Sequence, residues 1–306
     1  MVARDKSLFC FGFGFSACEA ARLMAPQGWT IAASHRRPSD DSLLRAAGVS
    51  PFLFTDSPID LRGFRVILVS APPNSDEPNL GHHDSILQML EGWKKNQRLK
   101  LHPECRIIYL STTGVYGDYG QAWVDETSPT RPSTDRGQRR LAAEQAWQDF
   151  ATRQSVALTH FRLAGIYGPG RSVLDIIRAG KAQRIYKEGQ VFSRIHVADI
   201  AAAIRAAALT EFSPDQQIYN LCDDLPCPPQ DVVTYGCELL GVIPPPLRDF
   251  AEVAATLSPM AASFYSESKK VSNQKYLREL KTPLLYPTYH SGLKAILVAE
   301  KEPPTG

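Results

Sequence analysis

The segment "GFGFSA", Gly12 to Ala17, decides the fold that this sequence predicts. It fits the pattern G-x-G-x-x-[GA], follows an apolar run typical of a strand and precedes a stretch with helical spacing. In that context Gly12 permits a tight turn, Gly14 lets the backbone approach a pyrophosphate, and Ala17 allows close packing of the helix on the sheet. The N–H groups at the helix start, including those of Phe15 and Ser16, would face the phosphates. The segment predicts a dinucleotide site, although a strand-to-helix turn without a ligand can also use two glycines.

Short apolar runs alternate with helical stretches through the first half of the chain. This alternation is typical of a parallel sheet with crossover helices, so we predict a doubly wound α/β Rossmann sheet with a smaller C-terminal substrate-binding lobe. The nucleotide-binding domain is predicted to cover residues 1–166, with 196–222 returning to it, and residues 167–306 to form mainly the substrate-binding lobe. The predicted strands are Leu8–Phe11, Trp29–Ala33, Phe52–Phe54, Val66–Val69, Ile107–Leu110 and Leu158–Leu163.

The end of the predicted second strand indicates which dinucleotide would bind. An NAD site would place a carboxylate there for the ribose hydroxyls, whereas this chain has "ASHRRP", with Ser34, Arg36 and Arg37 and no carboxylate until Asp40. Because the planar guanidinium group donates two parallel charge-assisted hydrogen bonds, the arginines favour the 2′-phosphate of NADP(H) over NAD(H). The alternative interpretation is a solvated turn.

Composition limits the classes of partner. The chain has 306 residues, with 34 Lys and Arg against 32 Asp and Glu, which gives no electrostatic reason to expect nucleic acid or an anionic membrane as a partner. It has no apolar run long enough to span a membrane, and its six cysteines form no CxxC pair. "GHHD" at 81–84 lacks the spacing of a zinc motif, and no metal is predicted. We expect a cytoplasmic protein with a small-molecule substrate.

Four later segments, in this order and spacing, resemble the extended short-chain dehydrogenase/reductase superfamily, which contains the NAD(P)-dependent epimerases and dehydratases. They are "STTGVYG" (111–117), "RLAAE" (140–144), "FRLAGIYGPG" (161–170) and "IHVADIA" (195–201). The resemblance covers about residues 7–222. It implies that the "SAPP" turn, through Ser70, Ala71 and Pro72, supports the cofactor, and that Thr112 bonds the oxygen of the reacting carbonyl or alcohol. It also implies a possible homodimer that pairs through a four-helix interface.

The catalytic helix departs from the family pattern. The family carries a Tyr and a Lys spaced Y-x-x-x-K, whereas this chain reads "RGQRRLAAE", so Arg136 stands for the tyrosine and Arg140 for the lysine. Arg140 could hold the nicotinamide ribose, or it could form a surface ion pair with Glu144. Arg136 keeps its proton at neutral pH and cannot replace the tyrosine. Replacement acids are Tyr116, Tyr119, a substrate hydroxyl or water.

A second departure concerns the substrate. Sugar-nucleotide enzymes of the family often carry R-D-x-I-H-V, with an arginine that clamps the diphosphate, but "FSRIHV" places Phe192 at that position and Arg194 two residues nearer His196. We therefore predict an NADP(H)-binding oxidoreductase or epimerase of an atypical branch, acting on a small carbonyl or hydroxyl compound. The alternative hypothesis is a regulatory or scaffold protein that senses NADP(H) without turnover.

Overall fold

The computed structural model describes residues 6–54, 58–73, 84–211, 213 and 215–301. Within these residues the strands are β1 (Ser7–Phe11), β2 (Thr30–His35), β3 (Ser50–Leu53), β4 (Val66–Val69), β5 (Arg106–Thr112), β6 (Trp123–Val124), β7 (Ala157–Leu163), β8 (Gly165–Tyr167), β9 (Arg184–Tyr186), β10 (Arg194–His196), β11 (Gln216–Leu221), β12 (Leu247–Asp249) and β13 (Lys270–Val271). The α-helices are α1 (Phe15–Met24), α2 (Asp41–Ala46), α3 (Ser85–Lys95), α4 (Asp135–Gln154), α5 (Val173–Arg178), α6 (Val197–Leu209), α7 (Pro229–Leu240), α8 (Phe250–Val253), α9 (Pro259–Phe264), α10 (Gln274–Leu280) and α11 (Tyr289–Ala299).

Seven strands form the central sheet in the order β11-β7-β5-β4-β1-β2-β3. Strands β1 and β2, β1 and β4, β2 and β3, and β4 and β5 pair in parallel. From β1 the chain continues through β2 and β3 to one edge and then returns through β4 and β5 toward the other. The predicted doubly wound α/β Rossmann sheet is thus confirmed. Its order reverses between β1 and β4, and ligands of such sheets bind beyond the carboxyl ends of the strands at this point.

The sheet is formed by strands that are buried on both faces. Every residue of β1, β4 and β7 is buried, as expected for parallel strands covered by helices on both sides. This explains why the sequences of β1 and β4 are nearly continuous apolar runs. One core cluster joins Phe9 and Ile67 of the sheet to Leu90 of α3 and to Trp147 and Phe150 of α4. This core fixes β1, and the glycine loop follows β1 at the carboxyl end of the sheet.

By backbone contacts the chain divides into two compact units. The first comprises Met1–Thr112, Asp135–Arg162 and Ile200–Tyr219, and the second Thr113–Thr134, Leu163–Asp199 and Asn220–Gly306. Residues 113–134, which the sequence prediction assigned to the nucleotide-binding domain, group with the second unit here. The second unit has its own core of apolar side chains, including Tyr167, Leu174 and Leu293. No helix in the part of the chain that the structure describes is both long and apolar enough to cross a membrane.

The predicted strands of the central sheet lie where apolar runs predict them, but the short strands of the second unit have no such signal. Strands β6 and β13, for example, contain two residues each and, in the described part of the chain, pair with one another alone. A two-residue strand carries no periodicity, so its partner alone defines it. The sequence therefore indicates the first unit better than the second.

Candidate cofactor site

Hydroxyl groups near the ends of β2 and β4, the two strands that flank β1, hold the glycine loop between β1 and α1. The backbone N–H of Gly12 donates to Ser34 Oγ at 3.1 Å, and Ser70 Oγ donates to the carbonyl oxygen of Gly12 at 2.9 Å. Ser34 lies near the end of β2 and Ser70 directly follows β4. The two serines predicted to contact a cofactor therefore also fix the loop, by bonding both polar backbone groups of its first glycine.

The two glycines of the loop are required for different reasons. Gly12 has a φ of +81°, and a Cβ atom there would lie 3.1 Å from Ala71 Cβ, so the fold itself requires glycine. Gly14 has a φ of −90°, which any residue adopts, and a Cβ atom built on it meets no atom of the described residues within 4 Å. A phosphate group that approaches this backbone closely would account for the second glycine.

Helix α1 begins without a group that would compete with an anion. Its cap residue, Gly14, has no capping side chain, and the first turn contains no acidic residue. The backbone N–H of Cys18 donates to Gly14 O at 2.9 Å and closes the first turn, whose N–H groups an α-helix directs beyond its N-terminus. With the positive end of the helix dipole, these groups fit a pyrophosphate.

The turn after β2 presents two arginine side chains. His35 orders this turn, because its Nδ1 is 2.9 Å from Arg37 O and its Nε2 is 2.7 Å from Asp41 Oδ1. Arg37 is 78% exposed, and its Nε lies 3.3 Å from Asp40 Oδ2; Arg36 is also exposed. No pattern in the sequence indicated the contacts of His35, which bring the arginines to the end of the strand.

The "SAPP" turn follows β4 beside the glycine loop. The backbone N–H groups of Ser70 and Ala71 both donate to Phe11 O, at 3.0 and 3.1 Å, which joins the ends of β1 and β4. Ala71 is the residue that a side chain at Gly12 would crowd, and Pro72 is exposed. The structure therefore places the predicted cofactor residues together at the carboxyl ends of β1, β2 and β4.

The residues predicted to take part in chemistry have different surroundings. Thr112 is the last residue of β5 and is half-buried. Tyr116 is fully buried and donates its hydroxyl to Asn220 Oδ1 at 2.8 Å, whereas Tyr119 donates its hydroxyl to Pro129 O at 2.6 Å. A buried hydroxyl that already donates its proton reaches a substrate only after local rearrangement. The contacts of Tyr116 favour packing, and its role as an acid stays a prediction.

Arg140 lies inside the first unit. Its Nη1 donates to Leu110 O at 2.9 Å and to Tyr109 Oη at 3.1 Å, and the side chain is buried against β5. Arg136, in the first turn of the same helix, is exposed. The arginine that replaces the family's lysine therefore braces the strand that ends at Thr112, and its predicted contact with a ribose stays a prediction.

Glu144 has partners other than Arg140. It forms a buried ion pair with Arg162, whose Nη2 lies 2.7 Å from Glu144 Oε2, and it also accepts a hydrogen bond from Ser111 Oγ. Both side chains of the ion pair are about 5% exposed. The interpretation of Arg140 and Glu144 as a surface ion pair is wrong, because each is buried and bonded to β5 or β7. This network ties α4 to the end of the strand that carries Thr112.

The chain contains one literal Y-x-x-x-K sequence, and it lies outside α4. It runs from Tyr265 to Lys269, where Lys269 Nζ donates to Gly117 O at 2.6 Å and lies 2.8 Å from Glu267 Oε2. Lys269 is buried, so these contacts serve to hold the second unit together. A lysine held by these contacts is not free to bind a ribose.

In the second unit, the "FSRIHV" segment is engaged in packing. His196 is buried between the rings of Tyr167 and Tyr286, and its Nδ1 accepts from the backbone N–H of Ala198 at 3.2 Å. Arg194 donates to Phe192 O at 3.2 Å and to the sulfur of Cys227 at 3.0 Å. Among the described residues, no group of three or more His, Cys, Asp or Glu could hold a metal ion; His82 and His83 lie outside them.

Asp223, also in the second unit, makes stability depend on pH. Burial raises its pKa to about 7, from an ordinary value of 3.8. The folded state therefore binds the proton of Asp223 more tightly than the unfolded state does. Its contribution to the free energy of unfolding is fully present below about pH 4, and up to about 4 kcal/mol of it is lost as the pH rises through 7. Asp223→Asn should therefore raise the urea midpoint at pH 8 but leave it nearly unchanged at pH 4. An equal effect at both pH values would contradict this assignment.

Comparison with solved structures agrees with this architecture. A functionally unknown conserved protein from Silicibacter pomeroyi DSS is 42% identical, with 96% of this chain and 99% of that chain covered and a TM-score of 0.85. The protein MoeE5, solved with UDP-glucuronic acid and NAD, is 19% identical over 96% and 99% of the two chains, with a TM-score of 0.74. The human epimerase family protein SDR39U1, solved with NADPH, is 19% identical over 97% and 100%, with a TM-score of 0.72.

The family follows from sequence comparison together with the fold. No protein of curated function matches the chain. Residues 79–222 match the model of the NAD dependent epimerase/dehydratase family, a span that includes "STTGVYG", "RLAAE" and "IHVADIA". The family resemblance drawn from those segments is thus confirmed. This chain belongs to the NAD dependent epimerase/dehydratase family.

Proposed function

We propose that this protein binds NADP(H) and acts as an oxidoreductase or epimerase on a small carbonyl or hydroxyl compound. The observation that carries the proposal is Gly14, at the uncapped start of α1, where no described atom lies near the missing side chain. The structures of MoeE5 with NAD and of SDR39U1 with NADPH, which share this fold, support a nicotinamide cofactor.

In this proposal the backbone of the loop from Gly12 to Ala17 binds the pyrophosphate through N–H groups. Arg36 and Arg37 bind the 2′-phosphate, and both are exposed at the end of β2 without a neighbouring carboxylate on that strand. Ser34 and the segment Ser70–Pro72 fix the loop and the adjoining strand end. Arg37 forms an ion pair with Asp40, so Arg36 is the better position for a test of cofactor preference.

Arg36→Ala should weaken NADPH binding by about tenfold, or about 1.4 kcal/mol, and leave NADH binding unchanged. The reason is that only NADPH carries the 2′-phosphate that the guanidinium group would bind. Titration of the protein with each dinucleotide, followed by nicotinamide fluorescence, measures both affinities. Arg45→Ala, an exposed arginine on α2, is the control for loss of a positive charge. Equal affinities for NADPH and NADH in the wild type would remove the assignment.

A nicotinamide cofactor would supply or accept the hydride, and the protein's own residues would orient the reacting oxygen and move a proton. Thr112, at the end of β5, is the residue that we propose orients this oxygen. Its strand is braced by Arg140 at Leu110 O and by the bond from Ser111 to Glu144. Because Tyr116 already donates to Asn220, a substrate hydroxyl or water is the favoured proton carrier.

Thr112→Val should abolish turnover, with a loss of about 10²-fold or more, and leave NADPH affinity unchanged. Valine keeps the shape of threonine but removes the hydroxyl, so the fold should be retained. Oxidation of NADPH in a screen of small carbonyl compounds measures the rate. Thr113→Val, whose hydroxyl donates weakly to Leu163 O at 3.4 Å, is the matched control. Turnover that survives in Thr112→Val would place the chemistry elsewhere.

The second candidate function is sensing of NADP(H) without turnover. The environment of α4 favours it, because Arg136 cannot release a proton at neutral pH and Arg140 is committed to β5. A carbonyl screen in which NADPH binds but is never oxidised would support this function over the enzymatic one. Binding of NADPH is common to both, so only turnover separates them.

We further propose that the protein works in the cytoplasm on a small molecule, without a nucleic acid or membrane partner. Its six cysteines are all unpaired, which suits a reducing compartment. The possible homodimer through a four-helix interface gains no support from α4. Most of the exposed positions of this helix are polar, including Gln138, Gln145 and Gln148, whereas stable dimer interfaces are more apolar.

A further inference from the structure

A cavity of about 480 Å³ lies within the second unit. One wall is the pair of strands β6 and β13, in which the backbone N–H of Ser272 donates to Val124 O at 2.9 Å and continues the pairing. Asp125 follows β6 directly, and Asp223 and Asp224 follow β11. Asp223 and Asp224 are adjacent in the sequence, but the contribution of Asp125 depends on long-range pairing that the sequence does not display.

Three carboxyl groups face a lining that contains no lysine, arginine or histidine. In two of these groups a hydrogen bond to one carboxyl oxygen fixes the side chain. Asp224 Oδ1 accepts from Asn273 Nδ2 at 2.8 Å, and Asp125 Oδ1 accepts from Thr127 N at 2.9 Å. Among the described residues, no hydrogen bond is donated to the second oxygen of either group. The cavity is therefore acidic and its side chains are ordered in advance of any ligand.

Asp223 is a buried carboxyl group of this cavity whose hydrogen bonding is incomplete. It is 1% exposed, and its Oδ2 receives no hydrogen bond from the described part of the chain. The nearby Arg194 donates instead to Phe192 O and to the sulfur of Cys227. A buried carboxyl oxygen without a donor is costly, so a ligand that supplies one would be stabilised here.

Trp123 adds an aromatic surface at the same cavity. Its side chain is 59% exposed, and an exposed indole is a side chain that proteins often use to bind a partner. The face of an indole ring attracts a cation, and carboxyl groups beside it strengthen this preference. An aromatic ring with three carboxyl groups therefore selects positive charge.

The arrangement of the three carboxyl groups does not suit a metal ion. No group of acidic, histidine or cysteine side chains in the described residues has the geometry of a metal site, so the three carboxyl groups do not converge on one point. A volume of about 480 Å³ accommodates a small organic molecule. We propose that this acidic cavity, formed by Trp123, Asp125, Asp223 and Asp224, binds an extended organic cation with more than one ammonium group.

Isothermal titration of the full-length protein with spermidine at pH 8, where Asp223 with its raised pKa of about 7 is ionised, tests this proposal, with an uncharged diol of the same chain length as the matched probe. Spermidine should bind and the diol should not. Asp223→Asn and Asp224→Asn should each weaken spermidine binding by about tenfold or more, and Trp123→Ala by about threefold. Asp149→Asn, an exposed position on α4, removes the same charge outside the cavity and should have no effect.

The possible outcomes either support or overturn the proposal. It is overturned if the wild type binds spermidine no better than the diol. It is also overturned if Asp149→Asn weakens binding as much as Asp224→Asn, since the attraction would then be a general surface effect. Retained spermidine binding in Gly14→Ala would show that the cavity acts independently of the glycine loop. Loss of binding in Gly14→Ala would contradict the assignment to the second unit.

Discussion

Gly14→Ala should abolish measurable NADPH binding and cost no more than about 1 kcal/mol of stability, the usual loss for alanine at a helix N-cap. The wild-type backbone at this position has a φ of −90°, and the added methyl group meets no described atom within 4 Å, so the protein itself tolerates alanine. The same methyl group would occupy the space that a pyrophosphate needs to reach the start of α1. Loss of about two charge-assisted hydrogen bonds, at roughly 1.5–3 kcal/mol each, weakens binding by about 100-fold or more.

The matched control for this variant is Gly63→Ala. Gly63 lies in the same unit, and a Cβ atom there also meets no described atom within 4 Å. Fluorescence titration with NADPH and thermal unfolding should be measured on both variants. Gly63→Ala should match the wild type in both. If Gly14→Ala retained wild-type affinity, the space beside Gly14 would have no role in cofactor binding.

Arg162→Met should destabilise the protein by about 3–5 kcal/mol. Its guanidinium group donates to both carboxylate oxygens of Glu144, at 3.1 Å from Nε to Oε1 and 2.7 Å from Nη2 to Oε2. Removal of one partner leaves the other charge buried without compensation, and that cost exceeds the value of the pair itself. Urea denaturation followed by circular dichroism measures the change in the free energy of unfolding.

An exposed ion pair provides the comparison. Arg153 pairs with Glu91 on the surface, where its side chain is 51% exposed, so Arg153→Met should cost less than about 1 kcal/mol. The double variant Arg162→Met with Glu144→Leu should recover much of the stability that Arg162→Met loses, because no unpaired charge then remains. A cost for Arg162→Met as small as that for Arg153→Met would show that Glu144 stays solvated.

The parts of the site that were predictable depend on local sequence. The glycine loop, the strand before it and the helix after it are contiguous, and each glycine has a steric reason that the motif expresses. The position of Arg36 after β2 is equally local. The roles of Ser34 and Ser70 are only partly local, because their bonds to Gly12 connect residues 22 and 58 positions apart.

The surroundings of α4 were not predictable, because they depend on contacts between distant segments. Helical spacing correctly placed Arg140 and Glu144 one turn apart, but a spacing does not show which face is buried. The partner of Glu144 is Arg162 on β7, and the partners of Arg140 are on β5. The surface interpretation failed because two charged side chains were assumed to prefer solvent, whereas here each has a buried partner.

The central claim is that a dinucleotide lies across the carboxyl ends of β1, β2 and β4. A crystal structure of the protein with NADPH tests it most directly. We expect pyrophosphate oxygens within hydrogen-bond distance of the backbone N–H groups at the start of α1, and the 2′-phosphate in contact with Arg36 or Arg37. A well-ordered crystal grown in saturating NADPH in which protein side chains fill that edge of the sheet, or the cofactor binds elsewhere, would contradict the account.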